Sequence, residues 1–175
     1  TVMNRAFANK DIKINYIAGY LKENLQIEDS QVAAIMGNMQ MESGFSPLKW
    51  QKVLPDDLYN PEYIQLYADG INTSGGWGLI QWTDSGRKRG LYDYAVSKGN
   101  TSYFGDMDTQ LEYLVYELTE GECKGLFEKF KEKKDVVEAT DYFCDEMERP
   151  EKREAHKTER REAAKAILGN IEKNK

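Results

Sequence analysis

Cysteine and histidine are nearly absent from this 175-residue chain, which holds only Cys123, Cys144 and His156. Two thiols are too few for a disulfide framework or a four-cysteine zinc site. Either they pair or both are small buried residues, and the second is the expectation. With one histidine, any Ser-His-Asp or Cys-His site would have to use His156, which stands among Lys and Arg where a solvated helix position is expected. No apolar run approaches the roughly 18 residues that a spanning helix needs, so no membrane insertion is expected. Positive charge is in deficit too: 24 Lys and Arg against 30 Asp and Glu give a net charge of -6. Affinity for phosphates rests on cationic neutralisation, so nucleic acid is not an expected partner. A GxxxxGK[ST] phosphate loop is missing, and GGWG leads into an apolar stretch rather than a helix, which argues against a nucleotide.

What is present suits one folded domain, expected to span 1–175. Hydrophobic residues make up 40% and charged residues 31%, enough for both a core and a hydrated surface. Three Trp, eleven Tyr and six Phe at regular apolar spacing exclude a mainly disordered chain. Charge is uneven, since residues 149–175 carry a net +4 and leave -10 on the rest. That tail is either a contact for nucleic acid or wall polymer or a solvated helix of mixed charge, the latter being expected. The chain opens at Thr1 with neither a signal peptide nor a transit pattern, so it is expected to be a piece of a longer protein, and a monomer as an isolated domain.

The periodicity predicts helices over 11–24, 31–43, 87–98, 109–120, 123–133, 136–147 and 152–170. Asp29-Ser30, Thr109 with Glu112, and Asp135 with Glu138 supply N-terminal caps. A short helical piece is expected over 61–68, with Tyr59, Tyr63 and Tyr67 on one face. SGGWGLIQWTDSG, residues 74–86, alone reads as strand and turn. The fold class is therefore α+β, mainly α, with a small β-hairpin beside a helical lobe.

Glu42 is the informative residue. At about 100° per residue, Val32, Ile35, Met36, Met39 and Glu42 fall on one stripe, which thus ends in a carboxylic acid just before the helix-stopping Gly44. A carboxyl at an apolar margin and at the negative end of a helix dipole is pushed towards its neutral form. A neutral carboxyl can donate a proton to a leaving oxygen, which is general-acid chemistry. Its company strengthens the idea. Trp50, Trp77 and Trp82 follow within a short span. Sugars combine flat C–H faces with hydroxyl rims, so a glycan site joins aromatic platforms to amide and carboxylate groups. Gln81, between Ile80 and Trp82, is such an amide, and Gly75, Gly76 and Gly78 let a bulky polymer approach the backbone. On composition alone, Trp77 and Trp82 serve equally well as core residues and the glycines as plain turn formers.

These segments resemble the phage tail lysozyme family of the lysozyme-like superfamily. The resemblance is carried by MQMESGFSP (39–47), GGWGLIQWTDSGR (75–87) and FCDEMERP (143–150) followed by Arg160 and Ala164. The first two are similar to the helix-terminal Glu-Ser-Gly and Gly-Leu-x-Gln pairing of goose-type lysozymes and soluble lytic transglycosylases. The resemblance implies Glu42 as catalytic acid and Gln81 as cleft-lining amide, with Trp82, Thr83 and Arg87 completing the substrate-binding pattern. It implies cleavage of the β-1,4 bond between N-acetylmuramic acid and N-acetylglucosamine, with peptidoglycan glycan strands as partner and no cofactor or metal.

One departure matters. Hen-type lysozymes carry a second carboxylate just before the Gly-x-x-Gln strand, and here that place is Gly76, so no covalent glycosyl intermediate can form there. A water held by another polar group is expected instead, with Asp84 the first candidate and Asp69 the second. Strand alternation puts Gln81 and Thr83 on one face and Trp82 and Asp84 on the other, which weighs against Asp84. Two rivals remain: a lytic transglycosylase, in which the sugar's own 6-hydroxyl closes an anhydro ring, and a non-catalytic wall-binding tail module. An acidic domain is repelled by an anionic envelope, so an extracellular or virion-associated place, tethered to further domains, is expected.

Overall fold

The computed structural model describes residues 7–50, 75–83, 85–99, 101–150 and 156–175. The expected helix over 61–68, with Tyr59, Tyr63 and Tyr67, lies outside them. The described residues form seven α-helices, a 3-10 turn and a π-helical segment, in two compact units. None of these helices is long and apolar enough to cross a membrane.

The larger unit comprises residues 7–42 and 114–175. Helix α1 (Lys10–Leu25) starts where Asn9 accepts a hydrogen bond from the Ile12 amide at 2.9 Å and stops at Gln26, in the left-handed region at φ 53°. Its inward face carries Ile14, Ile17, Ala18, Leu21 and Leu25, whose one-, three- and four-residue spacings keep them on one side of the helix. Helix α2 (Asp29–Ser43) starts two residues earlier than expected, and every residue from Gln31 to Met39 is buried. The projected stripe understates this helix, which is covered on all sides. Its polar members are satisfied from within. Gln31 Nε2 donates to the carbonyls of Lys131 (2.9 Å) and Lys133 (3.0 Å), fixing the chain that follows the later helix Lys124–Phe130. Ser30, expected to cap, instead donates to the Lys134 carbonyl.

Four further elements and the second half of the helix Met107–Thr119 complete this unit. Helix α5 is Lys124–Phe130, α6 is Val136–Tyr142, the π segment is Phe143–Glu148 and α7 is Lys157–Lys173. Asp135 caps α6 by accepting from the Glu138 amide, as expected. The π segment ends on the Arg149 amide, which donates five residues back to the Cys144 carbonyl at 2.8 Å. Phe127, Phe130 and Phe143 pack edge to face and stacked in the core, and Cys123 and Cys144 are buried and not joined in a disulfide. Burial pushes the Cys144 thiol above its ordinary pKa. The charged tail is more than a solvated helix. Arg161 makes a two-pronged pair with Asp141 at 2.8 and 2.7 Å, and α7 buries Arg160, Ala164 and Ile167.

The described residues of the smaller unit fall within 43–113. It holds α3 (Ser85–Ser97), the 3-10 turn Thr101–Gly105 and the first half of α4 (Met107–Thr119). Thr109 does not cap α4. Asp106 does, accepting from both the Thr109 amide (3.0 Å) and its hydroxyl (2.8 Å). Among the described residues there is no β-sheet, only isolated antiparallel bridges joining Trp50 to Trp77 and Trp77 to Trp82. Gly78 (φ 83°) and Gln81 (φ 55°) turn the chain so tightly that only the Trp77–Trp82 pair exchanges both backbone hydrogen bonds, at 3.1 and 3.0 Å.

Candidate active site

In the larger unit, Glu42 stands in the last turn of α2 with its side chain 17% exposed. It is neither out in solvent nor at a merely apolar margin. Its Oε1 accepts a 2.6 Å hydrogen bond from Arg160 Nη2, and the Arg160 side chain is only 4% exposed. Burial works to lower the Arg160 pKa, but the charge and hydrogen bond of Glu42 outweigh it and hold the guanidinium above its ordinary value. The second prong of the fork, Nη1, donates to Asn38 Oδ1 at 2.8 Å. Asn38 is itself fixed, since its Nδ2 donates to the Ala34 carbonyl (2.9 Å) and the Thr140 carbonyl (3.1 Å). A Cβ on Gly37 would lie 2.8 Å from Ala164 Cβ, the Ala164 amide nitrogen and the Arg160 carbonyl. Only a glycine lets α7 come this close to α2.

The apolar stripe of α2 draws attention to Glu42 but assigns Asn38 no role, and Arg160 enters the sequence reading only as a pattern residue. The available signal was spacing. Asn38 and Glu42 are one turn apart on α2, as are Arg160 and Ala164 on α7.

In the smaller unit, the structure brings Gln81 and Thr83 together around Gly76, while Trp77 and Trp82 pair through their backbones. Gln81 Nε2 donates to the carbonyls of Lys49 and Gly78, both at 2.9 Å, which turns its Oε1 towards Gly76. The Thr83 hydroxyl donates to the Gln81 carbonyl at 2.7 Å. Gln81 is thus a turn residue, which removes the alternation argument drawn from a strand. Trp77 and Trp82 are 1% and 0% exposed, so neither presents a ring face to a sugar. Trp77 stacks on Phe104 at 4.9 Å between centroids and donates its Nε1 to the Phe104 carbonyl; Trp82 tilts against Tyr113. Gln110, which sequence reasoning passed over, knots the turn: its Oε1 accepts from the Leu79 amide and its Nε2 donates to the carbonyls of Pro47 and Phe104. The buried Lys88 amine donates to the Gly75 carbonyl, and burial pulls its pKa down. Ser43, next in the chain after Glu42, donates its hydroxyl to the Leu79 carbonyl at 2.7 Å. Trp50 and Arg87 are half-buried. Asp69 and Asp84, the candidates for orienting water, lie outside the described residues.

Gly76 has a physical reason to lack a side chain. A Cβ there would meet Gln81 Oε1 at 2.7 Å, Gln81 Cβ at 2.8 Å and Thr83 Oγ1 at 3.1 Å. Gly76→Asp, which restores the hen-type carboxylate, is therefore expected to cost about 1–3 kcal/mol by overpacking. Thermal unfolding followed by circular dichroism should show a lower midpoint; an unchanged midpoint would refute this crowding.

Glu117, Glu122 and Cys123 place ligand atoms within 4.8 Å of one another, but such proximity alone does not make a metal site. The family model for phage tail lysozyme matches residues 13–171, nearly the whole chain.

Proposed function

Because this chain belongs to the phage tail lysozyme family, whose members degrade peptidoglycan, we propose that it is a muramidase with Glu42 as its general acid. The observation that carries this reading is the state of Glu42. It is a mostly buried carboxyl at a helix end, with one oxygen held by Arg160 and the other outside that bond. Glu42 protonates the glycosidic oxygen as the bond to the sugar C1 breaks through an oxocarbenium-like state. Water oriented by Asp84 or Asp69 attacks from the opposite face, which gives inversion. The Gln81 Oε1 and the Thr83 hydroxyl accept from sugar hydroxyls, Trp50 offers an aromatic surface and Arg87 a cation. Trp77 and Trp82 contribute indirectly, by holding the turn that carries Gln81. No metal or organic cofactor enters this chemistry, and the domain works on glycan strands from a virion tail.

A second reading is favoured by the crowding at Gly76, which leaves no room there for a second carboxylate. In it Glu42 acts as acid and then as base, and the muramic acid 6-hydroxyl attacks in place of water.

Purified peptidoglycan incubated with the protein separates the readings. Hydrolysis releases new reducing ends, and transglycosylation releases 1,6-anhydro products lighter by one water in the mass spectrum. Binding with neither product would leave only a wall-adhesion module and end both enzymatic readings.

A further inference from the structure

We propose that Arg160 is a positioning residue that acts through Glu42: it fixes which carboxyl oxygen carries the transferable proton and stabilises the carboxylate formed as that proton leaves. This rests on the reading of Glu42 as the acid.

A guanidinium has five N–H donors and no acceptor. With Arg160 Nη2 2.6 Å from Glu42 Oε1, that oxygen is confined to accepting, so a proton on Glu42 resides on Oε2. The guanidinium is planar and rigid, and its Nη1 is anchored on Asn38 Oδ1 at 2.8 Å, which sets the direction of Nη2. Asn38 cannot swing away, because its Nδ2 is spent on the Ala34 and Thr140 carbonyls. The acid is therefore aimed through a chain of three side chains from α2 and α7.

The same contact favours the transition state. The proton passes from Oε2 to the glycosidic oxygen, which also takes the electron pair of its breaking bond to C1, and Glu42 is left as a carboxylate. Negative charge then grows on both carboxyl oxygens, and Oε1 already faces a fixed cation. Starting from the protonated acid, that hydrogen bond strengthens as the reaction proceeds, which is the condition for lowering a barrier rather than merely binding.

A purely structural role explains the arrangement less well. A buried ion pair is a poor stabilising device compared with apolar packing of similar volume. Here the guanidinium is also imperfectly satisfied, since its buried Nε has no hydrogen-bond partner among the described residues. Gly37 permits the close helix approach that brings this charge to the acid.

The test compares the parent with Arg160→Met, Arg160→Lys and Glu42→Gln, measuring kcat and KM from reducing ends released from solubilised glycan strands. Arg160→Met is expected to lose about a hundredfold in kcat, the size seen when a preorganised donor is removed, with KM within about threefold of the parent. Arg160→Lys returns the charge without the fork and should recover about tenfold of that loss. Parental kcat in Arg160→Met, a loss carried by KM alone, or a lysine variant as poor as the methionine one would each overturn the proposal. Should Arg160→Met fail to fold by circular dichroism, Arg160→Lys decides alone. A kcat about tenfold below the parent at unchanged KM supports the proposal, and parental kcat overturns it. Glu42→Gln separates the two levels. If it keeps parental activity, the acid assignment itself falls; if it is inactive while Arg160→Met is fully active, only the role of Arg160 falls.

Discussion

Glu42→Gln is expected to fold as the parent does and to lose wall lysis by about a hundredfold to ten-thousandfold, the usual contribution of a positioned general acid. The amide keeps a carbonyl oxygen where Oε1 now accepts from Arg160 Nη2 at 2.6 Å, so the fork still finds two acceptors. What it lacks is an acidic proton on the other atom. Glu42→Ala is a different experiment. It strips the accepting oxygen from a guanidinium that is 4% exposed, and an uncompensated buried charge costs about 3–5 kcal/mol. For a chain of this length each kcal/mol moves the midpoint by roughly 2–4 °C, so the alanine variant should melt about 6–20 °C early. An inactive alanine variant therefore says little about chemistry. Turbidity assays on wall suspensions, with thermal melts of both variants, check the pair of expectations. Lysis by Glu42→Gln within about threefold of the parent would remove Glu42 as the acid, and a parental melt for Glu42→Ala would remove the weight placed on the ion pair.

The helices were legible in the sequence because their apolar spacing is regular. Those expected over 11–24 and 87–98 differ from Lys10–Leu25 and Ser85–Ser97 by two residues or fewer at either end. Their ends were less so. Asp106, Asp108 and Thr109 are all good caps within four residues, and only the three-dimensional course of the chain selects Asp106. The π segment Phe143–Glu148 was read as a continuation of the preceding α-helix, since six residues are too few to tell the two periods apart. The 74–86 stretch had the composition of a strand, β-formers bracketed by glycine, but the left-handed Gly78 and Gln81 make it a turn.

The candidate site divides along the same line. Glu42 stands out as a candidate because its neighbours on one helix announce its position. Arg160 is 118 residues away, and nothing local ties it to that carboxyl. The tryptophans show the limit of composition. An aromatic ring suits a sugar or a core equally, and only contacts such as the Trp77 bond to the Phe104 carbonyl decide.

Gly37→Ala should prove more damaging than its size suggests. Elsewhere this exchange in a helix interior gains about 1 kcal/mol of propensity. Gly169, also on a helix, shows the contrast: no described residue lies within 4 Å of a Cβ there, so Gly169→Ala is expected to be neutral or slightly stabilising. At Gly37 all three nearest atoms are at 2.8 Å and belong to α7, two of them in the backbone. Carbon atoms rest about 3.5–4.0 Å apart, so the helices must part by roughly 1 Å. Overpacking of this kind costs about 1–3 kcal/mol. The functional consequence should be larger. The hydrogen bonds at 2.6 and 2.8 Å that run from Arg160 to Glu42 and Asn38 cross this same contact, and a misplacement of about 1 Å can cost a hundredfold in rate. Melts and lysis rates of Gly37→Ala beside Gly169→Ala test this coupling. A Gly37 variant with the lysis rate of its Gly169 counterpart would show that the spacing of α2 and α7 does not govern the acid.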